Sequence, residues 1–291
     1  MQIPLWSERS RARDRHLASR QAADPRPYLT ARGPAITKLR KPNTETPSSI
    51  RMIISHSRQF TFVHIHKAGG TSVEQALDPC LAWNDLILGG SSLGERIQVP
   101  YSARFGLHKH SAVSQIESVC GSRYTDEYYL FALVRHPLAR VCSIYNFIAT
   151  ALNKWAELHN ISLSEVGSRI TPKAAKKTPA LTWPTSRAFL TTGSFSEFIR
   201  HENVNSAPGF RSQVGMLTGA GGERPKGQIF RLEDYPHWAS ALGERLGVPF
   251  ELPQANRSVL RLVVPESVSA EDRAFVERLF RADYEAFDYK P

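Results

Sequence analysis

Three short runs of β-branched and aromatic residues, each leading into a helical pattern, restrict this chain to an α/β architecture. Phe60-Thr-Phe-Val-His-Ile65 precedes two glycines and a helix start over 72–77. Tyr128–Val134 precedes a long helical pattern opened by Pro137, and Gln228-Ile-Phe-Arg-Leu232 precedes a helix over about 236–246. Proline suits a first helical position because its fixed φ is already helical and the missing N–H has no partner there anyway. Strands alternating with helices pair in parallel and are covered on both faces, so the expected fold has three layers: a central parallel sheet with helices on both sides. Ser269-Ala-Glu-Asp272 has the form of a capping box and opens a last helix reaching about Phe287. Between 167 and 187 the pattern dissolves, with Pro172, Pro179 and Pro184 interrupting a basic Lys173-Ala-Ala-Lys-Lys177 cluster, and a loop is expected.

The net charge of +10 over 291 residues is unevenly placed. Residues 1–51 hold eleven Lys and Arg against four acidic residues, leaving 26 against 23 for the rest. A folded nucleic-acid reader keeps its positive stripe on the domain itself, so no specific nucleic-acid partner is expected. Residues 1–51 are apolar-poor and interrupted by prolines, and read as a basic, disordered tail. Met52 directly precedes the first strand-like run, so translation beginning there is an equal alternative. The domain is expected over 52–291. No apolar run approaches the roughly 18 residues of a membrane span, and no secretory h-region opens the chain. A soluble, cytoplasmic protein is expected. Cys80, Cys120 and Cys142 form no CxxC pair and are expected as buried free thiols, and no metal is expected from the spacing of His, Cys, Asp and Glu.

Two segments carry chemistry. In His66-Lys67-Ala68-Gly69-Gly70-Thr71-Ser72, glycines let the backbone turn its N–H groups toward an anion at a helix N-terminus, Thr71 and Ser72 add hydroxyls, and Lys67 can reach over the same anion. The lysine precedes the glycines, which departs from the G-x-x-x-x-G-K-[ST] order of a Walker A loop. The second segment is Leu133-Val-Arg135-His-Pro137-Leu-Ala-Arg140-Val-Cys-Ser143-Ile-Tyr145. Arg135 stands at the C-terminal edge of a buried strand, where open α/β sheets bind ligands. Leu138, Val141, Tyr145 and Ile148 share one helix face, and Ser143 projects opposite, where it can share an anion with Arg135.

Taken together and in this order, the two segments resemble the 5′-phosphosulfate loop and the 3′-phosphate motif of sulfotransferases. The similarity is to carbohydrate sulfotransferases of the heparan sulfate 2-O-sulfotransferase type and their soluble, bacterial-type relatives, and it covers about residues 58–290. Gly106-Leu-His-Lys-His-Ser111, Gln213, Ile229–Glu233, Leu252–Ser258 and Asp283–Tyr289 resemble further blocks of that family. His136 stands where asparagine or aspartate is usual, and the membrane anchor of the Golgi members is missing from the pattern. The resemblance implies a P-loop-like fold, with 3′-phosphoadenosine 5′-phosphosulfate as sulfuryl donor and no metal. It implies that Lys67 neutralises the bridging oxygen, that Gly69 to Ser72, with Ala68, hold the 5′-phosphate, and that Arg135 and Ser143 hold the 3′-phosphate. Arg140 would support that site, Arg257 and Ser258 would close over the nucleotide, and Arg231 with Glu233 would form a buried ion pair beside it.

The acceptor hydroxyl needs a base. His108 and His110 are the candidates; in an extended segment both point the same way and Lys109 opposite. The resemblance favours His110, with His108 second. A carbohydrate or another hydroxyl-bearing acceptor is expected. Two other functions remain: a nucleotide-dependent kinase with a modified phosphate loop, using the acidic end of Leu232-Glu233-Asp234, and a non-enzymatic binder of nucleic acid or anionic membrane acting through residues 1–51.

Overall fold

Phe60-Thr61-Phe62-Val63 is buried at every position, and it forms the central strand, β2 (Phe60–Val63), of a five-stranded sheet. The structure is a computed structural model that describes residues 51–90, 92–222, 224–253 and 259–291. Strand β1 (Arg51–Ser55) precedes β2, and β3 (Leu86–Gly89), β4 (Tyr129–Val134) and β5 (Gln228–Arg231) follow, in the spatial order β3-β1-β2-β4-β5.

The sheet is mixed, which corrects the expectation of a parallel one. β2, β4 and β5 pair in parallel, Phe60 opposite Tyr129 and Phe131 opposite Gln228. β1 runs against both β2 and β3, with Ser55 opposite Phe60 and Met52 opposite Leu88. The reason is local: four residues separate β1 from β2, and so short a link can only fold back into an antiparallel hairpin. Gln59, at φ +54°, completes that turn.

Period-two alternation sends successive strand residues to opposite faces. Ile53, Phe60, Phe62, Phe131 and Leu133 pack with Val73 and Leu77 of α1 (Gly70–Leu77) and with a later helix bearing Leu242 and Leu246. Met52, Ile54, Val63, Leu130, Ala132 and Val134 face the other way, toward Val113 and Ile116 and toward Met216 and Leu217. Helices therefore flank the sheet on both sides. α2 (Ser92–Phe105), α3 (Val113–Cys120) and α4 (Arg123–Asp126) lie between β3 and β4. α5 (Pro137–Leu158) opens at Pro137 directly after β4 and is buried around most of its circumference, anchoring a second core with Phe198, Phe210 and Phe280.

The stretch expected as a loop over 167–187 is largely helical: α6 (Val166–Arg169), α7 (Pro172–Lys177) and α8 (Pro184–Thr191). Its prolines begin helices instead of breaking them, since Pro172 and Pro184 each take a first-turn position and Thr171 Oγ1 accepts from the Ala174 N–H at 3.2 Å. α9 (Phe195–Arg200), α10 (Glu202–Asn205) and α11 (Gln213–Leu217) follow before β5, and α12 (Ala239–Leu246) after it. Ser269 caps α13 (Ala270–Leu279) by accepting from the Asp272 N–H, and the final helix breaks at Phe280 into α14 (Arg281–Ala286). Cys142 is buried as expected, whereas Cys80 and Cys120 are partly exposed; all three are free thiols. Among the described residues no helix is long and apolar enough to cross a membrane.

Candidate active site

At the C-terminal end of β2 the chain leaves the sheet through His64, Ile65, His66 and Lys67 and turns into α1. Gly69 takes the left-handed conformation (φ +84°) that makes this turn, and no side chain caps the helix it opens. A Cβ on Gly69 would lie 2.8 Å from Leu232 Cδ1, and one on Gly70 would fall within the imidazole of His64. His64 is buried and paired with Glu74 of α1, itself fully buried, so its ring has little room to retreat. The glycine pair is thus required twice, by backbone conformation and by this ring. Gly70→Ala is expected to destabilise the protein by about 1–3 kcal/mol, the usual cost of overpacking. A denaturant midpoint equal to that of the wild type would show that His64 yields freely.

Lys67 itself sits at φ +60°. Its ammonium lies 4.0 Å from the centroid of the Phe147 ring. Burial, with Arg135 adding repulsion, lowers its pKa to about 8. Arg135, at the end of β4, donates through Nη1 to the Lys67 carbonyl at 3.3 Å, so the two cations expected to serve different phosphates border one loop. Burial pushes the Arg135 pKa down, opposed by Glu233. Gln213 locks the Arg135 backbone from both sides, accepting its N–H and donating to its carbonyl, each at 2.9 Å. Gln213 is held in turn by Asp283, which accepts from the N–H groups of Gln213 and Val214 and from the Ser212 hydroxyl at the start of α11. Ser143 is half-buried on α5, one turn before Phe147 and on the same face. That places its hydroxyl on the side of the helix that Lys67 covers.

Arg140 is fully buried. It donates to the carbonyls of Gly209 and Arg211, each at 2.9 Å, with Asp283 Oδ2 at 3.9 Å from Nη2. It therefore braces the 207–211 segment, and that segment packs against His66 through Gly209. Arg231 does not pair with Glu233. The chain turns in a 3-10 helix over Leu232–Asp234, and an i,i+3 step brings Arg231 to Asp234, at 2.8 Å. Glu233 is exposed and instead accepts from the His136 N–H and the Tyr289 hydroxyl, each at 2.9 Å. His136 turns its ring away to the Lys290 carbonyl. Arg257 and Ser258 lie outside the described residues.

The His108–His110 segment is a turn, so the same-face geometry of an extended segment does not apply; the turn is closed by the Ser111 N–H donating to the His108 carbonyl at 2.9 Å. The two imidazoles consequently occupy different environments. His110 is buried, 8% exposed. Its Nδ1 lies 3.0 Å from the His64 carbonyl, which can only accept; Nδ1 therefore bears the proton of the neutral ring, leaving the Nε2 lone pair free. The ring stacks on His66, centroids 3.3 Å apart at 23°, and meets His64 edge-on. Burial, together with the neighbouring His64, holds the His110 pKa well below the usual histidine value. His66 is lowered likewise by burial and by His110. His108 is half-buried, accepts from the His110 N–H through Nδ1, and has its pKa lowered by burial and then by Arg211 and Lys109. An open cleft of about 500 Å³ runs beside them, walled by Gln98, Val99, Ser102 and Ala103 of α2 and by the His108–His110 turn. Lys109 points to Glu95 on α2 at 3.1 Å and is thereby neutralised.

Phe147 went unnoticed as a site residue in the sequence, and His66, read only as the opening of the glycine loop, was not connected to His110. Phe147 could have been found as Ser143 plus one helical turn. Among the described residues no group of three or more His, Cys, Asp or Glu is placed to hold a metal ion.

A glycine turn at the end of a central strand, an uncapped helix behind it, and two half-buried cations bordering the turn are groups that can hold an anion. The model of the Sulfotransferase family matches residues 51–218, which span β1 to the end of α11. The chain belongs to the sulfotransferase family, enzymes that transfer sulfuryl groups. No curated protein and no solved structure matches it.

Proposed function

We propose that the enzyme moves a sulfuryl group from 3′-phosphoadenosine 5′-phosphosulfate to a hydroxyl of a carbohydrate acceptor, with His110 as general base. The observation that carries this reading is the meeting of Lys67 and Arg135 at the αL turn of Gly69, next to a neutral, buried His110 stacked on His66. The chemistry of this donor set suits a nucleotide with phosphate groups at two positions. Backbone N–H groups from Gly69 to Ser72, with Ala68, hold the 5′-phosphate, and Arg135 with Ser143 holds the 3′-phosphate.

In the transfer itself the acceptor oxygen forms a bond to sulfur while the bond from sulfur to the 5′-phosphate oxygen breaks, and 3′-phosphoadenosine 5′-phosphate leaves. Lys67 neutralises the charge that develops on the departing oxygen. His110 Nε2 takes the acceptor proton, because its Nδ1 is committed to the His64 carbonyl. His108, which lines the same cleft and is the more exposed of the two, contacts the acceptor. The cleft along α2 receives the acceptor, a position that brings its hydroxyl to His110. The kinase reading has less support: Glu233, its acidic residue, is occupied by His136 and Tyr289.

Calorimetric titration tests the donor assignment. 3′-Phosphoadenosine 5′-phosphate is expected to bind well ahead of AMP and of ATP with Mg²⁺. Arg135→Ala should weaken it by about 10- to 100-fold, the range for losing a charge-assisted hydrogen bond. Preference for ATP with Mg²⁺ would favour the kinase, and an unchanged affinity in Arg135→Ala would remove Arg135 from the 3′-phosphate site.

A further inference from the structure

A charge drawn partly out of water is normally paired with an opposite charge or supplied with hydrogen bonds. Lys67 is half-buried, and its ammonium has neither an ion pair nor a protein hydrogen bond among the described residues. The face of Phe147 lies 4.0 Å away, and the guanidinium of Arg135 repels it. The depressed pKa of Lys67 is the thermodynamic trace of that placement. Phe147 is itself backed by Trp183, with ring centroids 6.0 Å apart and planes at 20°. Trp183 is the residue before α8, where Pro184 fixes the chain direction, and it is 38% exposed. Lysine, phenylalanine and tryptophan thus form a column from the phosphate loop outward across α5 to α8.

We infer that Phe147, supported by Trp183, is a positioning residue that holds the Lys67 ammonium in a resting place from which an arriving anion withdraws it. The inference rests on the donor-site reading above and adds a step to it. An aromatic face stabilises a desolvated cation without satisfying its hydrogen-bonding capacity, so the lysine is kept charged and close but uncommitted. A carboxylate in the same place would hold the ammonium by a full ion pair and compete with the donor. A merely apolar side chain would give it no reason to stay, and the flexible stem would carry it to water. Phe147 lies one helical turn from Ser143, so the resting place adjoins the proposed 3′-phosphate contact.

Trp183 supplies the readout. Titrating the wild-type enzyme with 3′-phosphoadenosine 5′-phosphate is expected to change tryptophan emission as the cation leaves the column. Trp183→Phe should remove that change, which assigns it among the five tryptophans of the chain. Lys67→Met should bind the nucleotide in the calorimeter yet show no change. Because the contact is made in the free enzyme and given up when the donor binds, Phe147→Leu is expected to tighten calorimetric binding of the nucleotide about three- to tenfold with kcat altered less than twofold, the size of one cation–π contact. Phe147→Tyr, which restores an aromatic face, should return the wild-type affinity. A full emission change in Lys67→Met, or a nucleotide affinity for Phe147→Leu equal to that of the wild type or of Phe147→Tyr, overturns the inference. Absence of calorimetric binding in the wild type would instead overturn the donor reading, and this inference with it.

Discussion

In Lys67→Ala, kcat is expected to fall by about 10²–10³, the loss typical of deleting one group that stabilises transition-state charge. The bisphosphate product should still bind measurably. The asymmetry follows from the loop. The anion-holding elements proposed above are backbone N–H groups behind an αL glycine, together with Arg135, and none of these needs the Lys67 side chain. What the substitution removes under that proposal is the ammonium assigned to the breaking bond. Its effect belongs in the chemical step more than in binding, and single-turnover measurements beside equilibrium titration separate the two. Equal turnover in mutant and wild type would remove Lys67 from the chemistry. A matched loss of binding and turnover would make it a donor-binding group only.

His110→Asn is expected to lower kcat by about 10²–10⁴, the range of general base catalysis. Asparagine is the informative replacement because its amide can still donate to the His64 carbonyl while offering no basic nitrogen. His108→Asn should cost much less; a loss equal to that of His110→Asn would transfer the role to His108. The pH profile carries a second sign. A base must be unprotonated, and burial keeps the His110 pKa well below the ordinary histidine value, so it is neutral at pH 7. The acid limb of kcat/KM, which reports the free enzyme, should therefore fall only below about pH 6.5. On the other side Lys67 must be protonated, and its pKa of about 8 predicts an alkaline fall near that pH. An acid limb centred above 6.5 would exclude His110.

Much of this molecule is set by its local sequence. The helix starts at Pro137 and Ser269 were readable because a fixed φ and a side-chain cap act within three or four residues. β2 and β4 were readable because a strand buried on both faces is almost wholly apolar, and the edge strand β5 was readable from its β-branched and aromatic Ile229 and Phe230. The glycine turn between β2 and α1 was readable because it is compressed into seven consecutive residues. Other readings failed where two meanings share one residue type. Proline both breaks and begins helices, and Pro172 and Pro184 do the second. Arg51–Ser55 is short and lies beside a basic stretch, so the antiparallel β1 that makes the sheet mixed was not anticipated.

What only the tertiary structure decided is who meets whom across distance in the chain. Lys67 and Phe147 belong to separate elements, and no local rule connects a loop lysine to a particular ring on α5. The same holds for Arg231: a continued strand would set it on the face of Glu233 with Asp234 opposite, and the 3-10 turn brought it to Asp234 instead. Spacing alone did not separate His108 from His110 as an i,i+2 pair. The turn that contains them buries the His110 ring against His64 and His66 and leaves His108 half-buried. The sequence determined which chemical groups stand at the end of β2. Packing determined which of them are desolvated, and desolvation sets whether an imidazole is a base at neutral pH and whether an ammonium is held or free to move.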